Sequence, residues 1–156
     1  MEEAFGYWPS NSVGDVMDML LQALEALACI YASNIAHRDA FHNNFLVQWH
    51  PESMRTMSIP ASRPRVYLID FEVAMEFPAE CPPVERMSTG YPPGGSFPET
   101  EMYSRPLLPE ISSSNNCYCP FKLDIWQLGS TFANFRTTIA VIDAVIDELT
   151  CSDLAS

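Results

Sequence analysis

Asp39, Asn44 and Asp70 are the residues whose types and spacing could carry chemistry. The run His37-Arg38-Asp39-Ala40-Phe41-His42-Asn43-Asn44 sets an aspartate five residues ahead of an asparagine, and Asp70 follows Asn44 by 26 positions at the end of an apolar run. An aspartate such as Asp39 can orient a hydroxyl and accept its proton, while Asn44 and Asp70 offer hard oxygen ligands of the kind Mg2+ takes. Arg38 can pair with a phosphorylated residue through charge-assisted hydrogen bonds. The plainer reading of the loop is a polar turn in which Asp and Asn cap their own backbone. A transition-metal site on His37, Asp39, His42 and His50 is disfavoured, because two histidines five apart do not share a helix face. Cys117-Tyr118-Cys119 likewise has the wrong gap for a zinc knuckle.

The elements that must position these residues can be read from periodicity. Val13, Val16, Met17, Leu20, Leu24, Leu27 and Tyr31 recur at three- and four-residue steps, which predicts a helix from Val13 that ends before Ser33-Asn34. Ser12 with Asp15 has the form of a capping box at its start. Phe45-Leu46-Val47 and Arg65 to Phe71 read as two short strands, a hairpin-like pair joined by a connection holding Pro51, Pro60 and Pro64. Nine of the 13 prolines fall between Pro78 and Pro120, with Gly90, Gly94, Gly95 and the run Ser112 to Asn116, so regular structure is not expected there. So long a connection is usually functional or disordered. From Leu123 the apolar pattern returns through Ile125, Trp126, Leu128 and Phe132, and again from Ile139 to Leu149. Two helices with a break near Asn134 to Thr138 follow from it.

Composition narrows the class of function. A chain of 156 residues allows one domain and leaves no room for two of the usual roughly 100 to 200 residues. Hydrophobic residues at 47% suffice for a core. Eight Lys and Arg against 20 Asp and Glu give 8 − 20 = −12, a field that repels phosphate backbones and anionic lipid heads, so neither a nucleic-acid nor a membrane partner is expected. No run approaches the ~18 apolar residues of a membrane span, and the acidic start Met1-Glu2-Glu3 is unlike a signal peptide. The five cysteines, Cys29, Cys81, Cys117, Cys119 and Cys151, are odd in number and are expected reduced, in the cytoplasm or nucleus and not secreted.

On a loop after a helix and before a strand, His37-Arg38-Asp39 with Asn44 resembles the catalytic loop of eukaryotic-type protein kinases. Asp70-Phe71-Glu72 matches the first two positions of the D-F-G magnesium motif, and Leu108-Pro109-Glu110 resembles A-P-E. Asp124-Ile125-Trp126-Gln127-Leu128-Gly129 matches the D-x-W-x-x-G pattern that opens the central C-lobe helix. The matches come in the family's order, and the resemblance covers most of the chain, from the helix at Val13 to the last residues. The run Asn44 to Ser53 is similar to a group of kinase-like proteins common in fungi.

The resemblance implies a mainly α fold with a small β hairpin, a kinase C-lobe-like partial domain over residues 1–156. Residues 78–120 would be its Pro-rich, long, irregular activation-segment loop. It implies ATP-dependent phosphoryl transfer to protein Ser or Thr. Asp39 and Arg38 would be catalytic, and Asn44 and Asp70 would bind Mg2+ and ATP. His37, Phe71, Glu110, Asp124, Trp126 and Gly129 would be structural motif positions. In the family the aspartate at the Asp124 position bonds the catalytic-loop backbone, and the tryptophan is core. Ser88, Thr89, Tyr91, Ser96 and Tyr103 are candidate phosphorylation sites for Arg38 to hold.

Several residues depart from the family's pattern. Phe41 stands where kinases acting on Ser or Thr carry a lysine, and Asn43 where tyrosine kinases carry an arginine. Transition-state charge would then be less well neutralised. Glu72 replaces the glycine of D-F-G, which removes backbone freedom without forbidding metal binding. No G-x-G-x-x-G loop and no V-A-I-K lysine are found, and Met1 falls about where a kinase hinge would lead into the C-lobe. The expectation is therefore a fragment or degenerate relative without the small lobe, weak or inactive alone, with Glu110 lacking its usual arginine partner. The alternative is a pseudokinase-type interaction module whose uncovered apolar surface self-associates or is covered by a protein partner.

Overall fold

The computed structural model describes residues 13–48, 65–92, 105–106, 111 and 116–150. Helix α1 spans Val13–Ala32, as its periodicity predicts, and buries Met19, Leu20, Ala23 and Leu27 along one face. Asp15 lies in its first turn, where a carboxylate suits the positive end of the helix; Ser12, the other half of the expected capping box, lies outside the described residues. The helix ends with Asn34 in the left-handed region at φ 59°, a conformation asparagine tolerates at a helix C-terminus.

Six short strands then pair two by two. β1 (Ile35–Ala36) pairs antiparallel with β4 (Met75–Glu76). β2 (Phe45–Gln48) pairs antiparallel with β3 (Arg65–Leu68), in the register Phe45↔Leu68 and Gln48↔Arg65. β5 (Ser88–Thr89) pairs antiparallel with β6 (Cys117–Tyr118). Helix α2 (Pro120–Ser130) starts on a proline, whose missing N–H costs nothing at that position. After turns through 131–134, helix α3 (Ala140–Leu149) closes the described chain.

The architecture is thus mixed, with three α-helices and three small antiparallel pairs among the described residues, where a mainly α fold with one hairpin is expected from sequence. The hairpin itself is present, but β3 stops at Leu68 and not at Phe71. The Ile69 amide turns to the Asn44 carbonyl at 2.9 Å, and Asp70 adopts a left-handed φ of 65° that no strand can continue through. The stretch from Pro78 to Pro120 is not wholly irregular either. It holds a 3-10 turn at Pro83–Glu85, and the β5–β6 ladder joins its two ends.

One core cluster unites the helices with the hairpin: Leu20, Ala23 and Leu27 of α1, Ala40, Phe45 of β2, Leu128 of α2, Phe132 and Ile146 of α3. Each fully buried leucine, isoleucine or phenylalanine contributes about 2 kcal/mol, so this shared cluster is a main source of cohesion among these elements. A smaller cluster of Ile111, Tyr118 and Leu123 lies beneath Trp126, which is half-buried and not the full core residue its motif position implies. Gln22 of α1 accepts the Val66 amide at 3.1 Å and so ties the hairpin to the long helix. Cys29, Cys81, Cys117 and Cys119 are free thiols.

Candidate functional site

The loop from His37 to Asn44 is held by α2. Asp124, fully buried, accepts the His37 amide at 2.8 Å on Oδ2 and the Arg38 amide at 2.6 Å on Oδ1. One turn further, Gln127, also fully buried, accepts the Ala40 amide at 2.8 Å and donates to the Arg38 carbonyl at 3.0 Å. Positions i and i+3 share a helix face, so two neighbouring side chains of α2 satisfy four backbone groups on either side of Asp39. They also hold Arg38 at a φ of 69°, a left-handed conformation that costs an ordinary residue about 1 to 2 kcal/mol. Gln127 occupies an unspecified position of the D-x-W-x-x-G pattern, so no motif marks it from sequence.

His37 links the loop to the end of β3. The ring is fully buried; its Nδ1 accepts the Asp39 amide at 3.3 Å, so the proton resides on Nε2, which donates to the Ile69 carbonyl at 2.9 Å. Burial holds its pKa below the usual histidine value, against the opposing pull of the Ile69 carbonyl and the Asp39 and Asp70 carboxylates. Phe71 meets the imidazole edge-on with ring centres 4.9 Å apart. Of the three described non-glycine residues with positive φ, two, Arg38 and Asp70, belong to this site, and strained backbone concentrates where function demands it.

Asp39 and Asn44 are joined directly. The Asn44 amide nitrogen donates to the Asp39 carbonyl and to Asp39 Oδ2, each at 2.7 Å. Arg105, absent from every expectation above, donates from Nε to Asp39 Oδ1 at 3.2 Å and from Nη2 to Oδ2 at 3.0 Å. Arg38 is 4% exposed; Nη2 reaches the Tyr118 hydroxyl at 3.4 Å, and Nε has no hydrogen-bond partner among the described residues. Of the candidate hydroxyls, Ser88 is buried in β5, Thr89 and Tyr91 are exposed, and Ser96 and Tyr103 lie outside the described residues. Glu110 lies outside them as well.

The donor set fits a hard cation of the magnesium type. With its nitrogen committed to Asp39, the Asn44 side chain has its Oδ1 to offer a metal, and the exposed Asp70 carboxylate is one residue past Ile69, whose amide donates to the Asn44 backbone carbonyl. Among the described residues no group of three or more His, Cys, Asp or Glu side chains is placed to hold a metal ion. A magnesium ion here would rest on few protein oxygens and complete its shell with water and phosphate, the arrangement Mg2+ favours.

Burial raises the Asp124 pKa to about 7, despite the two amide bonds and Arg38 that favour its charged form. The Tyr31 hydroxyl, which donates to the Phe121 carbonyl at 3.1 Å, is pushed above the usual tyrosine range by burial first and by Asp124 second. A carboxyl with a folded pKa near 7 and an unfolded value near 3.8 keeps a proton that the unfolded chain has released. Its contribution is therefore fully present below the unfolded pKa and is lost as pH rises through the folded one, on the order of 4 kcal/mol at most. The stability of the protein measured against that of Asp124→Asn should fall between about pH 4 and pH 7. Urea unfolding of both proteins across that range checks it, and a flat or rising difference contradicts it.

No helix among the described residues is long and apolar enough to cross a membrane. Comparison with protein-family models, with curated proteins and with solved structures finds no match to this chain.

Proposed function

We propose that the chain is a protein-kinase-like C-lobe, related to enzymes that transfer phosphate from ATP to Ser or Thr of a protein. The observation that carries this reading is the buried Asp124 carboxylate on the His37 and Arg38 amides. The resemblance implies that bond, and neither periodicity nor composition does. A self-capping polar turn has no need of a carboxylate 87 positions away. The His37 ring on the Ile69 carbonyl, with Phe71 against it, supports the same reading, because it draws the third motif to the first two.

In this reading Asp39 orients the substrate hydroxyl and takes its proton, while Asn44 and Asp70 hold the metal-nucleotide. Magnesium, when bound, neutralises phosphate oxygens that a chain of net charge −12 would otherwise repel. Arg38, with an unsatisfied buried Nε, is the group that would answer a phosphorylated activation segment. The four cysteines among the described residues, all free thiols, suit the cytoplasm or nucleus.

A second reading, a pseudokinase-type module that binds a protein without catalysis, is favoured by one feature: both Asp39 oxygens already accept hydrogen bonds from Arg105. Val141 at 69% exposure and Val145 at 49% on α3 are apolar surface of the kind such a module offers.

Titration calorimetry of ATP with and without Mg2+, into the protein and into Asp70→Asn, tests the first reading. The expected result is binding that requires metal and weakens by roughly tenfold or more in the variant. Binding indifferent to both metal and Asp70, or no heat at about millimolar ATP, overturns it in favour of the second.

A further inference from the structure

Asp39 stands beside a cation that its own loop does not contain. Between His37 and Asn44 the only Lys or Arg is Arg38, which is 4% exposed and turned to Tyr118. Arg105 arrives from 66 residues further along and forks onto both Asp39 oxygens. Its guanidinium carbon lies 5.5 Å from the centre of the Phe41 ring, and Phe41 is in turn fixed edge-on against Trp126, with ring centres 6.2 Å apart. Phe41 is therefore a platform for a cation, and not merely the loss of one.

The guanidinium is held without being used up. Of its N–H donors, one on Nε and one on Nη2 face Asp39, and among the described residues none pairs with the others, on the opposite edge of a side chain that keeps 33% of its surface open. A planar fork locked on one edge presents the other with little further loss of side-chain freedom, and its geometry suits phosphate. The charge balance points the same way. The Asp39 and Asp70 carboxylates both act on His37, so an unaided phosphate entering here would meet repulsion. Arg105 cancels the nearer of the two.

We propose that Arg105 is the phosphate-binding group of this site: Asp39 holds one edge of the guanidinium, and the open edge takes the oxygens of a phosphoryl group. The anion chemistry stands on Arg105 alone. That the phosphate belongs to a nucleotide rests on the phosphotransfer reading above.

Calorimetric titration separates the two claims. Inorganic pyrophosphate without metal, and ATP with Mg2+, are titrated into the wild-type chain and into Arg105→Gln, Arg105→Lys, Asp39→Asn and Asp70→Asn. Pyrophosphate is expected to bind the wild type, to weaken by roughly tenfold or more in Arg105→Gln, and to be intermediate in Arg105→Lys. Asp39→Asn should tighten it, because a negative charge beside the phosphate is removed while the asparagine oxygen still accepts from one edge of the guanidinium, and a residue that only braces the fold would not give that sign. Pyrophosphate binding that is absent from the wild type, unchanged in Arg105→Gln, or unchanged or weakened in Asp39→Asn overturns the proposal. If pyrophosphate depends on Arg105 while ATP binding ignores Asp70 and Mg2+, the proposal stands and the phosphotransfer reading falls. Should Arg105→Gln lose its circular-dichroism signature of folding, Arg105→Lys decides, since it keeps the charge and loses the fork; affinity equal to wild type would then overturn the proposal.

Discussion

Replacing Asp124 with alanine is expected to lower the free energy of unfolding by about 4 kcal/mol, a large part of the roughly 5 to 15 kcal/mol that a domain commands. The reason lies in what remains after the side chain is removed. The His37 and Arg38 amides, at 2.8 and 2.6 Å from the carboxylate, belong to the backbone and cannot be deleted with it. Burial makes the carboxylate costly, as its raised pKa of about 7 records, and removing it recovers part of that cost. Two buried donors without acceptors cost about 1 to 3 kcal/mol each, and the left-handed Arg38 at φ 69° loses the contact that holds it, so the loss outweighs the gain. Denaturant unfolding measures the total. Hydrogen exchange locates it, since the His37 and Arg38 amides should lose protection beyond the global change. A destabilisation under about 1 kcal/mol, or uniform exchange, would show that the carboxylate does not carry the loop.

What the sequence made legible, and what it hid, divides by the range of the signal. Helix α1 is readable because apolar residues from Val13 to Tyr31 repeat at the helical period over about five turns, and the β2–β3 hairpin because both strands are long enough to show their composition. The β1–β4 and β5–β6 ladders, two residues on each strand, are too short to carry any period, and Ser88–Thr89 sits among prolines that argue against a strand. Asp39, Asn44, Asp70 and Asp124 are legible as a set because their spacing resembles a known pattern. Gln127 sits in that pattern and is invisible in it, since nothing local tells which unspecified position points at the loop. Arg105 is further out of reach. A cation missing from positions 41 and 43 reads as a loss, and only the folded chain brings one back from 66 residues away.

Gly129→Ala is expected to destabilise the protein by about 3 kcal/mol, lowering its melting temperature by roughly 10 °C, although alanine is the better helix former by about 1 kcal/mol. The two effects have opposite signs, so the outcome decides which governs. A Cβ built on Gly129 would lie 2.6 Å from the Leu149 carbonyl carbon and 3.0 Å from the Leu149 Cβ. Most of that obstruction is main chain of α3, which has no rotamer to change, so α2 and α3 must separate. Leu128, Phe132 and Ile146, all at 4% exposure or less, pack at this junction and would lose contact together. For the same reason no side-chain substitution at position 149 should rescue the variant, whereas a clash with a flexible side chain would be relieved by trimming it. Asp124, which accepts the His37 and Arg38 amides, lies in the first half of α2 and more than a turn before Gly129, so those amides should keep their exchange protection relative to the global stability. A Gly129→Ala protein that melts at or above the wild-type temperature would mean that helix propensity wins, and that the close approach of α2 and α3 is not a constraint of the fold.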